Sequence, residues 1–84
     1  MVRRGDLKNW TVLALGSLGG AAHHIVVAKR IWEEHEDEIR ASGDLLYTWQ
    51  YELRWAVYSL RKDGRVAPAT AGPRGVWQLN PRDP

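Results

Sequence analysis

A chain of 84 residues with no cysteine holds one domain, and it excludes disulfides and thiolate zinc sites. Five Trp and three Tyr beside no Phe favour aromatics with a polar handle, the kind common at binding surfaces. The net charge of +2 is unevenly placed: residues 1–10 carry +2, residues 11–46 carry −3 and residues 47–84 carry +3, a polarity that would offer its basic side to a polyanion.

A domain of this size buries only about 60% of its unfolded surface, so its core must be used economically. The longest weakly polar run, Val12 to Ala22, is too short to cross a bilayer, and it is rich in Gly and Ala. The expectation is a soluble, cytoplasmic protein with no membrane partner.

The first helix is expected from Asp6, a good N-cap, through Leu18, with Leu7, Trp10, Val12, Leu13, Ala14 and Leu18 on its apolar side. Gly19-Gly20 stops it, and Ala21-Ala22 is placed as a short strand. A second helix starts at His23 or His24. Its apolar stripe is Ile25, Ala28, Trp32, His35 and Ile39, and its outer side carries the spacings Lys29–Glu33, Arg30–Glu34 and Glu36–Arg40. Ala41-Ser42-Gly43 ends it. A third helix is expected from Thr48, as N-cap, to Lys62. Trp49, Leu53, Ala56, Val57 and Leu60 fall on one side, and Tyr51, Arg54, Trp55, Tyr58 and Lys62 on the other. Arg65–Thr70 reads as a strand that Pro68 keeps short or at an edge, 71–75 as a hairpin loop, and Val76–Leu79 as the return strand. The ordered core is expected over about 6–80, with a frayed tail from Pro81.

Helix, helix, helix, hairpin is the order of a mainly α, α+β domain. Its economical packing is a winged helix-turn-helix, three helices plus a two-stranded wing, as one domain over 1–84. In that geometry the third helix enters the major groove of DNA. Gln50 can pair with adenine and Arg54 with guanine, with Thr48, Tyr51 and Tyr58 on the same helix. Arg61, Lys62 and Arg65 are placed to meet phosphates, and Arg74, at the hairpin tip, is the wing contact.

The aromatics Tyr47, Trp49, Tyr51, Trp55 and Tyr58 allow two readings. Trp49 and Trp55 can pack in the core, or the group can form a stacking platform for a base, with Tyr51 and Tyr58 as its better members. His23, His24 and His35 beside Glu33, Glu34 and Glu36 do not make a metal site, because no two of these His have the i, i+4 spacing of ligands on one helix face. None of Ser17, Ser42 and Ser59 stands in a nucleophile elbow, and Leu15 to Gly20 lacks the Lys-Ser/Thr of a phosphate-binding loop. Neither an enzyme nor a cofactor is expected.

The pieces Leu53-Arg54-Trp55-Ala56, Leu60-Arg61-Lys62-Asp63-Gly64 and Pro73-Arg74-Gly75-Val76-Trp77-Gln78-Leu79 resemble the winged-helix domain at the N-terminus of Mrr-type restriction endonucleases, over roughly Leu7 to Leu79. The segment Ser42 to Tyr51 resembles a subgroup of that pattern. The resemblance implies double-stranded DNA binding in a restriction or defence setting. It also brings the expectation of reading N6-methyladenine, for which Tyr47, Trp49, Tyr51 and Trp55 would be the aromatic contacts. Cleavage is not carried over, since these residues include no nuclease domain; a nuclease would be a partner or a fused domain. The alternative is a protein-interaction adaptor that does not touch DNA.

Overall fold

The computed structural model describes residues 2–80, apart from the side chain of Arg4. The expected tail from Pro81 lies outside the described residues. The elements in order are α1 (Arg4–Ser17), β1 (Ala21–His23), α2 (His24–Arg40), α3 (Leu45–Lys62) and β2 (Val76–Gln78). This is the mainly α, α+β layout of winged-helix type that the sequence predicts. Among the described residues no helix is long and apolar enough to cross a membrane.

α1 begins two residues before Asp6. Arg3 is its N-cap, and Asp6, in the first turn, accepts the Arg3 backbone N–H at 3.0 Å. An acid here satisfies one donor and complements the helix dipole, so Asp6 does its work from inside the helix. The buried side of α1 is Leu7, Thr11, Ala14 and Leu15; Leu13, expected in the core, is 70% exposed. The Thr11 hydroxyl is silenced by donating to the Leu7 carbonyl at 2.7 Å. The helix ends at Gly20, whose φ of +97° lets its N–H reach the Leu15 carbonyl at 2.7 Å.

α2 buries Val27, Ile31 and Ile39, with Ala28 and Trp32 packed partly against them, while Ile25 lies 56% exposed. The expected stripe was therefore rotated toward the surface at its N-terminal end. His35, at φ −130° and ψ 19°, kinks the helix, and its ring stacks on Trp10 with centroids 3.7 Å apart. Two side-chain contacts tie this half of α2 to itself: Glu36 with Arg40 at 2.7 Å and His35 with Glu38 at 3.0 Å. Arg30, expected opposite Glu34, donates instead to Ser17 Oγ at 2.7 Å.

α3 starts at Leu45 with Asp44 as N-cap, so Thr48 lies within its first turn rather than before it. Its buried residues are the expected Trp49, Leu53, Ala56, Val57 and Leu60. Each such side chain contributes on the order of 1.5–3 kcal/mol by leaving water. They meet α1 and α2 in one cluster that also takes in Val66 and Trp77, while Val2, Leu7 and Ala56 form a smaller one where α1 crosses α3. Lys8 and Asp63, 2.8 Å apart, join the same two helices at the surface.

The strand pairing departs from a simple hairpin. β1 pairs antiparallel with β2, in the register Ala21–Gln78, Ala22–Trp77 and His23–Val76. The expected strand Arg65–Thr70 shrinks to one bridge, Val66 with Leu79, framed by Ala67 N–H to Gln78 O and Asn80 N–H to Arg65 O, both at 2.9 Å. The chain over 76–80 thus runs between two neighbours. Pro68, with no N–H to donate, stands where the second ladder stops. β1 is the neighbour with full pairing because its three residues follow directly on the α1 stop.

Candidate functional site

The functional candidates sit on two sides of α3. At 100° per residue, Arg54 and Arg61 point along one flank, within 20° of each other, with Gln50 beside them. Tyr47, Tyr51, Trp55 and Tyr58 point outward, opposite the buried stripe. The outward four are 82%, 62%, 44% and 54% exposed. Trp55 stands edge-on to both Tyr51 and Tyr58, with centroids 6.3 and 5.7 Å away, and Lys62 Nζ lies 5.7 Å from the Tyr58 ring centre. Thr48 is exposed, with its hydroxyl turned back to the Asp44 carbonyl at 3.4 Å.

Trp49 belongs to neither set. It is 6% exposed and its ring lies 5.7 Å from Trp32, nearly parallel at 16°. Of the two readings of the tryptophans, packing holds for Trp49 and the surface for Trp55. As a contact of the outer platform, Trp49 is corrected: its place on the α3 wheel is the centre of the core stripe.

The flank of Arg54 closes against β2 and the start of α2. A cleft of about 310 Å³ is lined by His24, Arg54, Val57, Arg61 and Trp77. It opens into a groove of about 580 Å³ between α2 and α3, because His24, Arg54 and Trp77 line both. The groove adds Trp32, Trp49 and Leu53 as apolar walls, and Lys29, Glu33 and Gln50 as polar ones. Its size falls within the range of small-molecule pockets, about 300–1,000 Å³.

Arg61 is half-buried and anchored by donating from Nε to the Ala67 carbonyl at 3.2 Å. Partial burial lowers the pKa of His24 below its ordinary 6.5, and the neighbouring His23 and the Arg54 guanidinium lower it further. His23, the N-cap of α2, accepts the Ile25 N–H on Nδ1 at 3.2 Å and stacks on His24 with centroids 4.4 Å apart. The His24 N–H donates to the Gly75 carbonyl at 2.9 Å, which brings the Arg74-Gly75 turn to the same corner. Gly75 has φ +82°, and a Cβ there would lie 3.0 Å from His23 Nε2, so both backbone and space require glycine.

Of the expected contacts, Arg54, Arg61 and the Arg74 turn are brought together, with Gln50 on the adjoining groove. Arg65 is half-buried at the Val66 bridge, and Lys62 keeps to the outer strip over Tyr58. Sequence reasoning missed His24, Trp32 and Trp77. The signal for His24 was its place directly after a three-residue strand, but only the β1–β2 pairing carries it to Arg54. The acidic run is elsewhere, on the C-terminal half of α2, except for Glu33 at the groove. Among the described residues no group of three His, Cys, Asp or Glu could hold a metal. The chain matches no protein-family model, no curated protein and no solved structure.

Proposed function

We propose that this domain binds double-stranded DNA through α3 and the Arg74 turn. The observation that carries the reading is the convergence of Arg54, Arg61 and His24 on one cleft beside that turn, on the third helix of a winged-helix layout. Guanidinium groups held by a rigid helix suit phosphate and base edges, and the acidic half of α2 would repel a duplex placed anywhere else. Gln50 and Arg54 are the base readers in this reading, with Arg74 as the wing contact and Lys62 and Arg65 as flanking phosphate contacts. Recognition of N6-methyladenine, the finer part of the proposal, rests on the outer aromatic strip. Tyr47, Tyr51 and Trp55 offer apolar surface that a methyl group would cover.

The test is titration of labelled duplexes, with and without N6-methyladenine, at several salt concentrations. Binding through several phosphates must weaken steeply as salt rises. A preference for the methylated duplex that disappears in Tyr51→Ala supports the aromatic reader, and equal affinity for both duplexes removes it.

The same four exposed aromatics favour a second reading, an adaptor that binds another protein. So much apolar surface in one row is the usual mark of an interface. Absence of salt-sensitive binding to any duplex would select this reading over the first.

A further inference from the structure

The groove and the cleft share three residues and differ in chemistry. The groove is walled by indoles, with Trp32 and Trp49 nearly parallel and Trp77 at the far end. The cleft is cationic: two guanidinium groups and an imidazole line it with Val57 and Trp77, and none of its lining residues is acidic. A flat aromatic joined to a phosphate fits that division. Indole faces stack on a base of any sequence at about 1–3 kcal/mol per base. Arginines bind phosphate with two parallel hydrogen bonds. Arg54 lines both spaces, so it spans the point where the two halves of such a ligand would join.

The groove also carries a clue to the base. Gln50 from α3 and Glu33 from α2 line it, one on each helix. Gln offers a donor and an acceptor together, which matches an adenine edge, and a carboxylate accepts from an exocyclic amine. A base carrying an amine is favoured over uracil or thymine.

We infer that the joined cavities form a site for one nucleoside monophosphate unit, the base between the groove indoles and the phosphate between Arg54 and Arg61. The unit has two sources: a free mononucleotide, or a nucleotide turned out of a DNA strand. The second source rests on the DNA-binding reading above, and the first does not. The burial and cationic neighbours that depress the His24 pKa are also the conditions in which a bound phosphate would stabilise imidazolium.

The experiment follows the indole N–H signals of the ¹⁵N-labelled domain by NMR during titration with AMP, UMP, adenosine and inorganic phosphate. Duplex binding is measured on the same protein. AMP is expected to move the Trp32, Trp49 and Trp77 signals and to leave Trp10 in place. It should bind at least tenfold more tightly than adenosine, phosphate or UMP. Arg54→Gln, at an exposed position, should weaken AMP at least fivefold while leaving adenosine unchanged. If AMP leaves the three groove signals still at millimolar concentration, and a duplex with a mismatch at its centre binds no better than the matched one, the site is overturned whatever the duplex affinity. A mismatched duplex bound at least fivefold more tightly supports the strand as source, because an unpaired base costs less to turn out. AMP binding with equal duplex affinities, or with no duplex binding, supports the free nucleotide.

Discussion

Trp49 and Trp55 stand six residues apart on one helix and lead opposite lives. Trp49 is enclosed against Trp32 under α2, while Trp55 is nearly half exposed in a row with Tyr51 and Tyr58. Six residues on a helix turn through 240° net, enough to carry the same side chain from the core to the surface. The lesson is that an aromatic-rich helix is not read by its aromatic count. Position on the wheel assigns one indole to holding the fold and the other to meeting a partner.

The largest expected effect tests that division directly. Trp49→Ala should cost about 3–5 kcal/mol by opening a cavity beside Trp32. That is much of the roughly 5–15 kcal/mol that holds a typical domain together. Trp55→Ala should cost about 1 kcal/mol, the scale of its edge-on ring contacts. Urea unfolding of the two variants checks both values. Equal losses would break the comparison and place Trp55 in the core.

Next comes the contrast between the two ends of α2. His23 and His24 begin the helix in a cationic corner, and Glu36 and Glu38 lie near its other end in pairs with Arg40 and His35. Arg54→Gln should reduce duplex affinity by about tenfold, within the roughly 1–3 kcal/mol of a lost guanidinium contact, and flatten the salt slope by about one unit if the contact is to phosphate. Glu36→Gln, on the acidic half, should leave affinity within about twofold of wild type or raise it slightly, with stability changed by less than about 0.5 kcal/mol. A larger loss from Glu36→Gln than from Arg54→Gln would put the binding face on the wrong end of the molecule.

These two ends also show what a sequence can carry. The buried face of α3 was legible in full, because Trp49, Leu53, Ala56, Val57 and Leu60 are apolar and share one side, against Tyr, Arg and Lys opposite. α1 was not, because Leu, Val and Ala occur all round it, and nothing local told Leu13 from Leu15. Thr11 looked polar, yet its hydroxyl bonds its own helix and lets it bury. On α2 two apolar rows overlap at Ile25 to Ala28, and only packing under α3 chose Val27 over Ile25. The grouping of His24, Arg54 and Trp77 was out of reach. It depends on the pairing of Ala22 with Trp77, 55 residues apart, which no periodicity encodes. The shortness of the Arg65 strand, by contrast, was written in Pro68.

The smallest expected effect is the pH response of His24, and it separates fold from binding. Its folded pKa lies below the ordinary 6.5, through burial first, then His23, then Arg54. A depressed imidazole pKa means that the unfolded chain takes up the proton more readily than the folded one. The contribution to stability is therefore whole above pH 6.5 and is lost as pH falls from there through the folded pKa. A phosphate seated in the cleft would act in the opposite sense on binding. It raises the His24 pKa, so complex formation takes up a proton and affinity should grow as pH drops from 7.5 toward 6. His24→Gln should flatten both trends, and unfolding and duplex titrations at three pH values would follow them. Loss of the stability trend alone would leave His24 as a packing residue of the sheet corner. Loss of both ties the imidazole to the anion as well as to the fold.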